Sequence, residues 1–474
     1  MKLSKQKIVL QSNVGEALLN WPNKHPLTEV EGKEARIISA YFSPSETNIN
    51  TILFGENLAA LSYLLQHFKE KIHLIYIDPP FDSNANYDKK VFLKGKSNKS
   101  FCIKQKQYED KWTKESYLQF LFERLQLLYT LLAPTGSIYV HCDWRKSHYI
   151  RLMLDEIFGA EHFRNEIIWK RGTVKGAKAR GNQFARNHDT ILYYTKSNQY
   201  TFHRQYVPFD ADYIKRFNKD DEDGLGPYRD DQAIGTRSKQ AIQDMLSSGK
   251  MFEVNGKLRI KTYLKDLHGV VMDDNWSDIA EVNVMSKKRT MYPTQKPETL
   301  LERIIKTSSN EGDIVLDCFS GSGTTAYVAA NLKRNFIAID NNIGAIITTS
   351  QRINTLEQPY TIQTVDCNWP RENNMVQYKV DGVERKITIT EFDTSYIVKE
   401  YPQLGNIPWQ QLIEQVEIDL AYDGQVFKPT LIDCPTSSED TIVVTYRLEH
   451  SISQKIAIQI TDIFMNIFFI EIRI

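Results

Sequence analysis

At 474 residues, with 41% apolar and 25% charged side chains, the chain exceeds one ordinary core and has the make-up of a soluble protein of two to four domains. Lys plus Arg equals Asp plus Glu at 59 each, yet residues 368–474 hold nine basic against 16 acidic residues, so the remainder carries +7. Five scattered cysteines without a CxxC pair, a polar start and the lack of a long apolar run argue against a zinc site, a disulfide framework and a membrane span, and fit a reducing cytoplasm.

Residues 1–50 are mixed and polar, with Pro22, Pro26 and Pro44, and read as an N-terminal arm or small cap. Glu31-Gly32-Lys33 resembles half of a nuclease metal motif, but residues 1–30 contain no Asp to complete it. Regular alternation then begins. Strands are predicted over Thr51–Phe54 and Ile72–Ile77, with a helix over Asn57–Phe68 between them. A helix over Glu115–Leu132, capped by Thr113 and stopped by Pro134-Thr135-Gly136, leads to a strand over Ser137–Cys142. The next helix, Lys146–Phe158, ends at Gly159, and further strands follow at Ile167–Lys170 and Thr190–Tyr194. Such alternation predicts a mostly parallel sheet.

The pattern lapses over residues 199–291, an insertion too long for a loop and expected to be a separate lobe. It resumes over residues 292–365, with a helix at Pro297–Ser308, a strand at Asp313–Asp317, a helix at Thr324–Leu332 and a strand at Asn335–Asp340 followed by another helix. Residues 366–474, with turns such as Val380-Asp381-Gly382-Val383, are expected to form an all-β appendage. Its apolar ending, from Ile463-Phe464 to Ile474, is expected to pair as a strand or to contact a partner. The core is thus read as two halves, 51–198 and 292–365.

Two strand-ending loops carry the chemistry. Asp317-Cys318-Phe319-Ser320-Gly321-Ser322-Gly323-Thr324-Thr325 is a glycine turn that lets a cofactor approach the backbone, with Asp340 ending the next strand where a carboxylate can accept from a ribose diol. A helix-capping role for Asp340 is the alternative. Asp78-Pro79-Pro80-Phe81 is more specific. Asp78 and the Pro79 carbonyl, held by Pro80, can each accept a hydrogen from an exocyclic amine, and Phe81 offers a face for a base. A rigid turn alone would leave the acid and the aromatic unexplained. A base in duplex DNA must be flipped out to reach such a pocket.

In this order the two loops resemble the permuted, beta-class amino-methylating DNA methyltransferases of bacteria, over about Thr51–Gln351. Tyr292-Pro293-Thr294-Gln295-Lys296-Pro297 looks like that family's segment before the cofactor loop, and Gly55-Glu56-Asn57-Leu58 its early element, with Glu56 where Asp is usual. The wording around Trp112, Ser137-Ile138-Tyr139-Val140-His141 and Asn187-His188-Asp189 is most similar to the modification subunits of type III restriction systems.

The resemblance implies an α/β fold: a Rossmann-like S-adenosylmethionine-dependent methyltransferase sheet with an inserted target-recognition lobe and a C-terminal β-rich domain. It implies methyl transfer from S-adenosylmethionine to N6 of a flipped adenine, without a metal, by Asp78, Pro79, Pro80 and Phe81. It assigns the donor to Asp317, Phe319, Gly321, Gly323, Thr324, Asp340, Lys296, Gln295, Glu56 and Asn57. The implied partners are double-stranded DNA, a separate translocating nuclease subunit and a second copy of the chain. Cytosine-N4 methylation and a recognition subunit whose activity has decayed are the alternatives.

Two basic runs, Lys89, Lys90, Lys94, Lys96, Lys99, Lys104, Lys106 and Arg164, Lys170, Arg171, Lys175, Lys178, Arg180, Arg186, flank the proposed base pocket and are read as phosphate contacts, although such runs are commonly just solvated faces. His141 and His188 are read as structural before acid–base groups. Leu118, Leu121, Leu125 and Leu128 are read as core, and Trp169-Lys170-Arg171 with its following glycines as a DNA-contacting or ordinary surface loop.

Overall fold

The computed structural model describes residues 7–9, 19–81, 85–93, 102–110, 113–172, 182–222, 224–232, 237–283, 290, 292, 294–369, 375–381, 384–435, 440–447 and 455–473. Trp112, Lys94, Lys96, Lys99, Lys175, Lys178, Arg180, Gly382, Val383 and Pro293 lie outside the described residues.

One sheet organises the chain. Its strands are β1 (Ala35–Tyr41), β2 (Thr51–Phe54), β3 (Ile72–Ile77), β4 (Leu132–Cys142), β5 (Phe163–Lys170), β6 (His188–Thr195), β7 (Asn275–Trp276), β8 (Ile314–Asp317), β9 (Asn335–Asp340) and β10 (Tyr360–Val365). Their spatial order is β7-β5-β6-β4-β3-β8-β9-β2-β10-β1. The run from β4 to β10 is parallel throughout. Beyond it β6 returns antiparallel against both β4 and β5, and β1 lies antiparallel on β10.

Both faces of a parallel sheet must be covered, and its strands accordingly read as nearly continuous apolar runs. On β3 the side chains alternate: Ile75 and Ile77 enter one core, Leu74 and Tyr76 the other. The first core is closed by α1 (Asn57–Phe68), α2 (Lys114–Leu131) and α3 (Ser147–Phe158), and Leu118, Leu121, Leu125 and Leu128 of α2 are buried in it. The second is closed by α4 (Glu298–Ser308), α5 (Thr324–Asn331) and α6 (Ile343–Asn354), through residues such as Leu301, Ile304, Val328 and Ile346. Each such aliphatic side chain contributes about 1.5–3 kcal/mol by leaving water. Local signals set the ends: Thr113 accepts from Ser116 N at 3.2 Å to cap α2, and Gly159 at φ 90° terminates α3.

The structure departs from the sequence reading at the margins. Part of the expected N-terminal arm is β1, a full sheet strand whose free edge is closed by Phe427: Ala40 N donates to Phe427 O at 2.9 Å and Phe427 N to Ile38 O at 3.0 Å. Residues His203–Asp273 form a compact unit of their own, while β7 within the expected lobe belongs to the main sheet. That unit holds a three-stranded antiparallel sheet, Tyr228–Gln232, Lys257–Tyr263 and Met251–Val254, with a helix at Lys239–Ser247.

After the core, Val376–Asp381, Lys386–Phe392 and Thr445–Arg447 form one antiparallel sheet. Leu431–Asp433, Ile413–Asp419, Lys455–Asp462 and Ile467–Arg473 form another, so the apolar ending pairs as a strand within the chain. A hairpin, Ala85–Phe92 with Cys102–Asp110, follows the Asp78 loop, and its Val91, Leu93 and Ile103 are buried against Ile397, Leu404, Leu412 and Phe464 of this region. Among the described residues no helix is long and apolar enough to cross a membrane.

Candidate active site

The loops that leave the carboxyl ends of β3, β4, β8 and β9 gather at one edge of the sheet, where open α/β folds present their ligands. Ile77 pairs with Val140 and Leu74 with Val315, so Asp78 follows β3 between His141 of β4 and the loop after β8.

On the Asp78 side, Oδ2 accepts a hydrogen bond from the Lys296 ammonium, while Oδ1 is buried and has no hydrogen-bond partner among the described residues. The Phe81 ring lies over the imidazole of His141, with centroids 6.0 Å apart and planes 27° apart. His141 is fully buried: Nδ1 meets the Tyr76 hydroxyl at 2.9 Å, Nε2 meets Asp189 Oδ2 at 3.3 Å, and Trp169 packs edge-on at 5.6 Å. Burial pushes the Asp189 carboxyl up, but the hydrogen bond and charge of His141, with Arg171 and Lys296, outweigh it and hold it below the usual range. His141 is therefore a support under Phe81, and His188 opens β6 opposite Lys170.

On the glycine-loop side, Asp317 is turned inward: Oδ1 accepts from Phe319 N at 3.0 Å and Oδ2 from the Thr325 hydroxyl at 2.5 Å. Burial pushes its carboxyl up to about 7 against those two bonds, and the nearby charges of Asp78 and Asp340 add to the rise. Asp340 accepts from Gly321 N and Asn342 N, both at 2.9 Å, and burial raises it to about 6. The cap of α6 is Asn342, whose side chain accepts from Ala345 N at 3.2 Å, so Asp340 is not the helix cap.

Gly321 and Gly323 have φ of 49° and 68°, which favours glycine. At Gly323 a Cβ would lie 2.4 Å from Thr349 Oγ1, so the close approach there is by α6. Thr324 Oγ1 lies 3.4 Å from Lys296 O and accepts from Arg352 at 2.9 Å, while Arg352 also reaches Ser322 O and Glu298 at 3.0 Å. Half-buried Phe319 packs on Phe120 with centroids 6.1 Å apart. Glu56 caps α1 through Leu58 N at 2.7 Å, and Arg124 donates to both Glu56 and Asn57. Gln295 accepts from Thr290 N at 2.8 Å, within its own segment.

Thus the structure brings Asp78, Phe81 and Lys296 together and groups Asp317, Phe319 and Gly321 in the adjoining loop, with Asp340 bonded to it from the end of β9; Thr324 and Gly323 are engaged in holding that loop to its neighbouring helices. Arg124, Arg352 and Tyr76 escaped the sequence reading, and so did the bond that Thr325 of the glycine turn makes to Asp317. Arg124 carries a signal, an arginine among the buried leucines of α2 at 5% exposure; for Thr325 nothing in the spacing foretells its bond to Asp317.

The same edge carries an exposed aromatic and basic rim. Trp144 is 44% exposed, with the Arg186 and Arg145 guanidiniums 3.8 and 5.0 Å from its ring, and Phe184 is 100% exposed.

Residues 72–350 match the DNA methylase family model. The chain is 30% identical over 362 residues to the type II methyltransferase M.EcaI of Enterobacter cloacae, covering 70% of this chain and 77% of that protein. It is 26% identical over 292 residues to the DNA adenine methyltransferase YhdJ of Escherichia coli K12, covering 62% of this chain and 78% of that one. To the type III restriction-modification enzyme StyLTI Mod subunit of Salmonella typhimurium it is 25% identical over 364 residues, 67% of this chain but 55% of the relative, so it spans about half the length of that protein. Among solved structures, the M1.HpyAVI–SAM complex aligns at TM-score 0.37 and 19% identity, over 64% of this chain and 98% of that one. With its matched segment running from β3 through most of α6 and so containing both loops, the chain belongs to the DNA methylase family.

Proposed function

We propose that this chain is a site-specific DNA methyltransferase that uses S-adenosylmethionine to methylate N6 of a flipped adenine, as the modification component of a restriction-modification system. The observation that carries the reading is the buried Oδ1 of Asp78, without a hydrogen-bond partner among the described residues, beside the ring of Phe81. A buried oxygen without a donor is costly, and an incoming amine supplies that donor. The Pro79 carbonyl takes the second amine hydrogen, and the nitrogen lone pair is left facing outward. Phe81 stacks the base, which offsets about 1–3 kcal/mol of the unstacking cost.

The donor reading fits the adjoining loop. Asp340 at the end of β9 keeps lone-pair capacity beyond its backbone bonds from Gly321, Asn342 and Asn341 for a ribose hydroxyl, and Phe319 is only half buried, leaving ring surface for an adenine. Asn57, anchored by Arg124, sits beside Cys318 O at 3.5 Å and would close the far end of the same site with Glu56. When bound, S-adenosylmethionine supplies a methyl group on a sulfonium sulfur. What the protein contributes is alignment: Asp78, Pro79 and Phe81 hold N6 in line with that methyl, the main source of acceleration in such a transfer.

The rim of Trp144, Arg145, Arg186 and Phe184 supports duplex DNA as acceptor, since aromatic faces and guanidiniums serve bases and phosphates. In this reading the unit His203–Asp273 reads the DNA site, the chain works as a homodimer in the bacterial cytoplasm, and any nuclease is a separate subunit. Labelled donor and mixed-sequence DNA, digested to nucleosides after reaction, should give N6-methyladenine. Label on cytosine would move the target to N4; no label on DNA would refute the reading.

A further inference from the structure

We propose that Lys296 is a positioning residue for Asp78 and not a ligand of the methyl donor; the inference rests on the methyltransferase reading above. Its ammonium is bonded to Asp78 Oδ2 across 218 residues of chain, and the two side chains are only 12% and 17% exposed. The two oxygens of one carboxylate are thereby made unequal. Oδ2 is occupied by the lysine, and Oδ1, buried and without a partner among the described residues, is the one left for the amine. The terminal torsion of an aspartate is broad, so without an anchor the carboxylate plane swings and the acceptor direction is blurred.

The anchor is itself well held. Lys296 O lies 3.4 Å from the Thr324 hydroxyl at the first turn of α5, and Thr324 is clamped by Arg352, which reaches Glu298 at the start of α4. Lys296 Nζ also lies 3.5 Å from Thr294 O and 5.7 Å from the Phe81 ring centroid. One ammonium therefore fixes the acid that takes the amine and borders the ring that takes the base. It also ties the Asp78 loop to the segment whose Lys296 carbonyl meets Thr324 of the glycine loop. Because alignment errors of about 1 Å cost on the order of 10²-fold in rate, such a tether acts on turnover while leaving the donor's own contacts intact.

The test compares the full-length wild type with Lys296→Gln, Lys296→Arg, Asp78→Ala and the Asp78→Ala/Lys296→Gln double variant. It measures kcat and KM for methyl transfer to DNA, donor affinity by calorimetry and thermal midpoint. Lys296→Gln should lower kcat about 10²-fold while donor affinity stays within about 2-fold, and Lys296→Arg should recover at least about tenfold of the loss. The double variant should be no slower than Asp78→Ala alone, because both changes remove one device. A loss of donor affinity of about tenfold or more with kcat preserved would overturn the proposal, as would additive losses in the double variant. A wild type that binds donor but methylates no DNA would refute the methyltransferase reading itself, and this inference with it.

Discussion

The Phe81 ring rests at 27° on the imidazole of His141, itself held at both nitrogens by Tyr76 and Asp189. One face of Phe81 is therefore turned to a buried support, and the proposed reading gives the other face to the base. Phe81→Ala should lower kcat/KM for DNA by about 5- to 150-fold, the equivalent of about 1–3 kcal/mol of stacking, and Phe81→Trp should retain most activity. A 2-aminopurine placed at the target position reads flipping directly. Its fluorescence on binding should change between the wild type and Phe81→Ala; unchanged kinetics in Phe81→Ala would remove the ring from the base site.

Asp317 makes stability depend on pH with a definite sign. Its folded-state carboxyl is raised to about 7 by burial, above the usual carboxylate value, so the native state binds the extra proton. The stabilisation is fully present below about pH 4 and is lost as pH rises through about 7. For this one group that is on the order of 2–4 kcal/mol. The ligand-free protein should melt at falling temperature from pH 5 to 7.5, and Asp317→Asn should flatten that fall. A parallel slope in the variant would show that burial does not raise this acid.

Gly323 meets α6 at a point where no side chain fits. With φ at 68° and Thr349 Oγ1 2.4 Å from the site of a Cβ, Gly323→Ala forces backbone strain and overpacking together. It should cost about 2–4 kcal/mol, visible as a lower denaturant midpoint with unchanged slope. Gly312→Ala, at φ 83° with open space around its Cβ, should cost less, about 1–2 kcal/mol. Equal costs would mean that the contact with Thr349 is not tight.

Arg186 and Arg145 flank Trp144 at the exposed edge. Arg186→Ala should weaken DNA binding about equally for all sequences and reduce the slope of log affinity against log salt by about one. Trp144→Ala should lower affinity with little change in that slope, since an uncharged ring releases no counterion. Fluorescence anisotropy across a salt series checks both. An unaltered slope in Arg186→Ala places that guanidinium away from phosphate.

The parallel core is legible in the sequence because β3, β8 and β9 are buried on both faces and read as apolar runs, while their helices carry caps and apolar stripes. The edges are not. β1 lies in a stretch punctuated by prolines and is stabilised by Phe427, a partner whose position no local pattern announces. The Asp78 loop stands out because Asp, two Pro and an aromatic in succession are rare and chemically coherent. The bond from Lys296 to Asp78 is invisible locally, since it depends on where two distant loops converge. Within the glycine loop, the sequence shows that glycine is wanted at 323; that α6 is what approaches follows only from tertiary packing.

The pairing of β3 with β8, Leu74 with Val315, joins segments that leave the ribosome far apart in time. Contacts of such sequence separation form slowly, so the edge where Asp78 meets Lys296 assembles only after nearly the whole core has been synthesised. A nascent chain thus lacks the assembled edge until the segment that carries Lys296 and the glycine loop has been made. The unit His203–Asp273 lies inside the loop that this pairing closes. Closure entropy grows only logarithmically, and doubling the length of such a loop costs about 0.6 kcal/mol. The inserted unit can therefore be lengthened or exchanged over generations while the sheet that holds the chemistry scarcely registers the change.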